Sequence, residues 1–281
     1  MREKDFSVVT LVKGRRQQLH NLLLSIAASN SQPHDIHIVC MDDTNNVTIP
    51  PQLNNVFLHT MKSAQNLPLA HARNTGFQAA QTNNICFVDV DCIVSPTLFA
   101  SLLADLSDDT IVAAYPRYLS RVPVVSEFAT LFPEAVAHPS REVISPHSVI
   151  NHLKFWSIVF AIRKSSFVST GGFDEAFIGY GAEDTDFAMS FHAAGLRLIF
   201  ADDFVLHQYH DKYDPPLNYF SDILQNAQTF HNKWGFYPME RWLHKFAEFG
   251  LIEPFDGGAP PVVRRLPTEE DIAACRSTNP Y

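Results

Sequence analysis

Ile85-Cys86-Phe87-Val88-Asp89-Val90-Asp91 is a short apolar run that breaks into Asp-x-Asp. Its length and content suit a buried strand over 85–88, closed by Asp89. Outward from it, β-branched and apolar runs at 6–12, 36–41, 56–58, 111–115, 155–162 and 198–200 predict further strands. Segments with helical apolar spacing lie between them, at 15–28, 70–80, 96–105, 183–194 and 217–233. Strands alternating with helices imply βαβ units: an α/β fold with a mostly parallel central sheet flanked by helices. Ligands of such sheets sit beyond the carboxyl ends of the strands, where the acidic residues fall.

Residues i and i+2 of an extended chain project to the same side, so Asp89 and Asp91 can face one cation. Hard carboxylate oxygens suit Mn²⁺ or Mg²⁺, and a bound diphosphate would add more oxygens. The bland reading is a strand-end turn capping the next helix. Asp42-Asp43 closes another apolar strand and could accept a hydrogen bond from a uracil N3–H, or simply make a turn. Arg73, on the helix 70–80, could pair with that loop or steady a nucleotide, or be an ordinary surface arginine.

A second acidic set follows Gly171-Gly172-Phe173-Asp174-Glu175 and Gly179-Tyr180-Gly181-Ala182. Glu183, Asp184 and Asp186 open a helix, where acids complement the helix dipole without any catalysis. Three carboxylates in four residues exceed what capping requires. One of them can align an acceptor hydroxyl and take its proton. His207 follows the strand expected at 198–200 and offers a neutral nitrogen ligand beside carboxylates. His210, three residues on, would meet it only in a helical turn. Trp156 and Trp234 are core residues or sugar-stacking faces.

Bulk properties bound these readings. The 281 residues and 31.6 kDa suit one large domain with an appendage, and 46% hydrophobic content supplies a core. A formal charge of −9 argues against nucleic acid as the main partner. Cys40, Cys86, Cys92 and Cys275 form no CxxC pair, which predicts free thiols in a reducing compartment. The first residues lead into a strand without a signal-peptide h-region, and no stretch is long enough to span a membrane. A cytoplasmic protein is the expectation, with room for peripheral membrane association. Residues 116–150 carry five prolines and read as an irregular insertion.

With both acidic sets and the glycine spacing in hand, the chain resembles the GT-A glycosyltransferases, the family 2 group and its relatives. The segment from Gly171 to Gly195 is similar to the motif shared by β-1,4-galactosyltransferases, polypeptide N-acetylgalactosaminyltransferases and chondroitin-type polymerases. Thr10, the Arg15/Arg16 helix, Asp42-Asp43 and Ala72-Arg73-Asn74-x-Gly76 fit the N-terminal pattern. The resemblance covers about residues 6–233. It implies a Rossmann-like nucleotide-diphospho-sugar transferase domain over 1–235, its nucleotide-sugar half to about 95 and its acceptor half beyond, with 236–281 as an appendage. It implies donor contacts from Thr10, Asp42, Asp43, Arg73 and Asp89, a Mn²⁺ or Mg²⁺ held by Asp91, Asp89 and His207, and Asp184 as general base with Glu183 holding the acceptor. The implied reaction moves a hexose or N-acetylhexosamine from a UDP-sugar to a hydroxyl of a glycan or other acceptor, with inversion. Polypeptide N-acetylgalactosaminyltransferases share part of the motif and retain configuration, so a retaining transferase stays open. So do a nucleotidyltransferase and a non-catalytic nucleotide-sugar-binding domain. Tyr180 departs from the galactosyltransferases, which have Trp there.

Overall fold

The computed structural model describes residues 5–41, 47–63, 67–124 and 127–281. Strands β1 (Phe6–Val12), β2 (Asp35–Met41), β3 (Val56–Met61) and β4 (Asn84–Val88) run parallel in the order β3-β2-β1-β4. The sheet continues through β9 (Val159–Arg163), β6 (Thr110–Tyr118), β10 (Arg197–His207) and β5 (Cys92–Val94). Of these, β9 and β5 run against their neighbours, and β6 and β10 pair in parallel. Two-residue strands β7 (Val136–Ala137) and β8 (Val149–Ile150) add to β6 and β10.

Each central strand is buried on both faces, and successive residues enter different cores. Val8, Ile38 and Cys86 pack with Leu22, Leu23 and Ile26 of α1 (Arg16–Ala27) and Phe99 of α3 (Leu98–Ala104). Val9, Val39 and Phe87 pack with Phe77 of α2 (Leu69–Ala79) and Phe187 and Phe191 of α7 (Glu183–Ala193). Such two-sided burial produces the unbroken apolar runs seen in the sequence. Helix α7 starts on acidic residues that favour its positive end and is followed by Gly195 at φ +85°. The four cysteines are free and buried.

Several expectations change. Strand β10 extends from residue 197 to 207 instead of ending at 200, with a bulge between Phe200 and Phe204. The charges at 202–203 obscured this continuation. Asp203 is buried, and its carboxylate accepts from Ser95, Thr97 (2.8 Å) and Ser101 (2.8 Å), so the sheet tolerates it. His207 is therefore the last residue of a strand rather than part of a following loop.

Strand β6 likewise runs through Pro116, which pairs with Val205. Pairing to β9 involves only Val112 and Ala113, so the missing N–H of Pro116 breaks no ladder on that side. Within the insertion expected to be irregular, α4 (Phe128–Leu131) supplies Leu131 to a small core with Ile93, Leu119 and Leu206, and α5 (Pro139–Glu142) follows β7. Conversely, 155–158 are not strand; β9 begins at Val159 and leads into α6 (Lys164–Ser169).

The C-terminal stretch forms α9 (Glu240–Glu248), α10 (Glu269–Ala274) and β12 (Arg276–Ser277), which pairs with β11 (Lys212–Tyr213). Leu243, Phe246, Leu251 and Phe255 share one apolar cluster with Phe220, Ile223 and Ala227 of α8 (Phe220–Trp234). The boundary expected at 235 thus runs through a continuous core. No helix among the described residues is long and apolar enough to cross a membrane.

Candidate active site

Asp89, Asp91, His207 and His210 line one cleft of about 860 Å³ together with Glu183 and Asp184. The cleft opens where β1, β4 and β10 end, as the α/β rule places ligands. Its volume lies in the range of small-molecule sites.

On one side, ligand atoms of Asp91, His207 and His210 all lie within 4.8 Å of one another. Asp91 is buried, and neither carboxylate oxygen accepts a hydrogen bond among the described residues; its charge is met by Arg15. A buried carboxylate so placed is suited to take a cation. Burial, with His210, Arg15 and Lys212 nearby, pulls His207 down to about 3, so its ring is neutral and ligand-competent. His210 Nδ1 donates to the Asp211 carbonyl (2.9 Å), which leaves the Nε2 lone pair facing Asp91 Oδ2 at 3.9 Å. A backbone partner of this kind fixes the tautomer of a metal-binding imidazole. This set fits a divalent cation.

Asp89 was expected among the ligands. Its Oδ1 accepts from Val90 N (2.8 Å), and its Oδ2 stands 3.9 Å from His207 Nε2. It is half-exposed at the edge of the cluster, with burial pushing its pKa up and Arg15, Arg73 and His210 opposing. The two histidines were expected to meet only in a helical turn. They do so without one: residues 208–211 form no helix or turn, and the two ring centroids are 5.4 Å apart.

On the other side stand Glu183 and Asp184. Arg73 Nη1 donates to Glu183 Oε1 (3.1 Å) and Nη2 to Ser157 Oγ (2.8 Å), while Gly181 N donates to Glu183 Oε2 (3.2 Å). The guanidinium also lies 5.0 Å from the Phe173 ring. Its expected pairing with Asp42-Asp43 involves residues outside those described. Burial and the adjacent Glu183 push Asp184 up to about 6, against the pull of Arg73. The third acid, Asp186, is no site residue. It is fully buried and accepts from Trp234 Nε1 (2.7 Å) and Lys233 Nζ (3.1 Å). Trp234 is thereby a structural anchor. Trp156 does line the cleft, backed by the Arg141 guanidinium at 3.4 Å from its ring centroid.

Thr10 sits inside β1, fully buried and with no partner for Oγ1 among the described residues. Leu11 of that strand and Lys13, just beyond its end, line the cleft instead. The Arg-Asn-x-Gly run on α2 has a clear physical account. Arg73 holds Glu183, and Asn74 bonds Phe173 through both N (2.9 Å) and O (2.8 Å). Gly76 lies so close to β1 that a Cβ would come within 2.4 Å of Val9 Cγ1. Ser157, Tyr219, Met239 and Trp242 also line the cleft and carried no sequence signal, since they come from three separate segments without a motif.

The family described as glycosyl transferase family 2 matches residues 7–177. The chain belongs to that family. Its fold is of the GT-A type. The pre-mycofactocin glycosyltransferase of Mycobacterium tuberculosis is 31% identical over 132 residues, covering 46% of this chain but only 27% of that protein. The structure of Staphylococcus aureus TarS 1–349 superposes with a TM-score of 0.56 at 14% identity, covering 88% of this chain and 71% of that one. GalNAc-T7, solved with UDP, GalNAc and Mn²⁺, superposes with a TM-score of 0.57 at 16% identity over 73% of this chain and 43% of that one. At these identities the two structures establish the fold alone.

Proposed function

We propose that this glycosyltransferase moves a hexose or N-acetylhexosamine from a UDP-sugar to a hydroxyl of a glycan or related acceptor, with inversion. The observation that carries this reading is the convergence of Asp91, His207 and His210 with Asp184 on one cleft. The solved fold neighbours described with UDP-GlcNAc or with UDP, GalNAc and Mn²⁺ support the donor class.

Asp91, His207 and His210 would hold Mn²⁺ or Mg²⁺, with Asp89 at the margin of the set. Such an ion supplies positive charge to the departing diphosphate. Arg15, from the turn after β1, and Lys13 add cationic side chains to the donor side. Asp184 accepts the proton of the acceptor hydroxyl as that oxygen attacks the anomeric carbon, and the bond from that carbon to the diphosphate oxygen breaks. A carboxylate tuned to about 6 is a stronger base than an ordinary aspartate and is still ionised at neutral pH. Both oxygens of Glu183 are already engaged. We therefore assign it to orienting the Gly181 loop and raising the Asp184 pKa, in place of the first contact with the acceptor.

The test is UDP release from UDP-GlcNAc, UDP-GalNAc, UDP-Gal and UDP-Glc with Mn²⁺ and a panel of glycoside acceptors. Asp91→Ala and Asp184→Asn should each reduce turnover at least about a hundredfold. Wild-type rates in both variants would reject the assignment.

A further inference from the structure

The wall beside Asp184 is aromatic, and part of it comes from the C-terminal segment. Tyr180 precedes the acidic helix, Tyr219 precedes α8 and Trp242 sits on α9; all three line the cleft and are partly buried. Their rings lie against one another, Tyr180 to Tyr219 at 4.6 Å and 22°, Tyr180 to Trp242 at 6.1 Å and 28°. Mutual stacking restricts side-chain rotation, so the wall is formed before any ligand arrives.

The C-terminal segment is tied to the motif loop. Asn226 Nδ2 donates to the Ile178 (3.0 Å) and Gly181 (2.9 Å) carbonyls. Gly181, at φ +101°, lies where a Cβ would sit 3.0 Å from Met239 Sδ. The loop that presents Glu183 and Asp184 therefore rests directly on α8 and the start of α9.

Charge narrows the ligand. Among the described residues lining the cleft, the lysine and arginines, Lys13, Arg15 and Arg73, come from the connection between β1 and α1 and from α2. Beside the aromatic wall stand Asp184, Glu183, which is paired with Arg73, and Asp222, whose Oδ2 accepts from Tyr180 N at 3.3 Å; the cation Arg15 also acts on Tyr180. An anionic acceptor would meet the like charge of Asp184, which lines the cleft beside the wall. A neutral pyranose offers polarised C–H groups to the ring faces and a hydroxyl to Asp184.

We infer that Trp242 and Tyr219, with Tyr180, form a stacking subsite that selects an uncharged pyranose as acceptor. The C-terminal segment is then a specificity element of the active site. This rests on the glycosyl-transfer reading of the cleft.

The experiment titrates methyl glycosides of glucose, galactose, N-acetylglucosamine and glucuronic acid into protein holding UDP and Mn²⁺, followed by saturation-transfer NMR and calorimetry. At least one neutral glycoside should bind the wild type, and the glucuronide more weakly than the glucoside. Trp242→Leu, which keeps apolar bulk but removes the ring face, should weaken that binding about tenfold, whereas Trp242→Phe should retain most of it. UDP affinity should stay within about twofold in both variants. Absence of neutral-glycoside binding in a wild type that binds UDP, or unchanged binding in Trp242→Leu, overturns the inference. Failure of the wild type to bind UDP with Mn²⁺ would instead overturn the donor reading on which it rests.

Discussion

Arg73 on α2 and Glu183 at the start of α7 form an ion pair at 3.1 Å with both side chains only 8% exposed. The pair joins the nucleotide-side helix to the loop that presents Asp184. Arg73→Met leaves Glu183 as a buried, uncompensated carboxylate and should cost about 3–5 kcal/mol in urea unfolding. The double variant Arg73→Met, Glu183→Leu should recover much of that stability without recovering turnover. Full activity in the double variant would show that the pair matters only for folding.

Asp184 ties activity and stability to pH in opposite directions. Turnover needs its ionised form, so kcat/KM should rise through about pH 6 and level off above about pH 7. Its folded pKa lies above the ordinary carboxylate value of about 3.9. The stability it contributes is therefore full below about pH 4 and is lost as pH rises through about 6. Asp184→Asn should melt above wild type at pH 8 while being inactive. An unchanged or lowered melting temperature in that variant would contradict the raised pKa.

His207 and His210 should matter equally to the cation. His207→Ala and His210→Ala should each weaken Mn²⁺ binding in the presence of UDP by more than about tenfold, read by electron paramagnetic resonance. Mn²⁺ at about a hundred times its dissociation constant should stabilise the wild type by about 2.7 kcal/mol, and a chelator should remove that gain. Binding that survives His210→Ala would reduce the ligand set to Asp91 and His207.

Asp186 should separate from its acidic neighbours. Asp186→Asn weakens charged hydrogen bonds to Lys233 and Trp234 and should cost about 1.5–3 kcal/mol in thermal unfolding. Below the melting transition, kcat should stay within about threefold of wild type. A collapse of kcat in folded protein would return Asp186 to the active site.

Runs such as 6–12, 36–41 and 85–88 revealed their strands because strands buried on both faces must be apolar throughout. The glycine spacing of the Gly171–Asp186 segment was legible because the backbone requires it: Gly172, Gly179 and Gly181 all adopt positive φ. Legibility failed where a local rule was overridden by a distant partner. Asp203 hid half of β10, since three hydroxyls far away in sequence satisfy it. Pro116 suggested a break that β6 does not make.

The sequence by itself determined the α/β class, the strand ends that carry Asp89 and Asp91, and the acidic helix start at Glu183-Asp184, because strand burial and helix dipoles act over a few residues. Only the tertiary structure decided which acids face the cleft and which are buried in structural hydrogen bonds. It placed Asp186 on Lys233 and Trp234, left Thr10 fully buried and off the cleft wall, brought His210 beside His207 and Asp91, and set Trp242 of the C-terminal segment against Tyr180. Those outcomes depend on contacts between residues far apart in the chain, and neither spacing nor composition encodes where such residues meet.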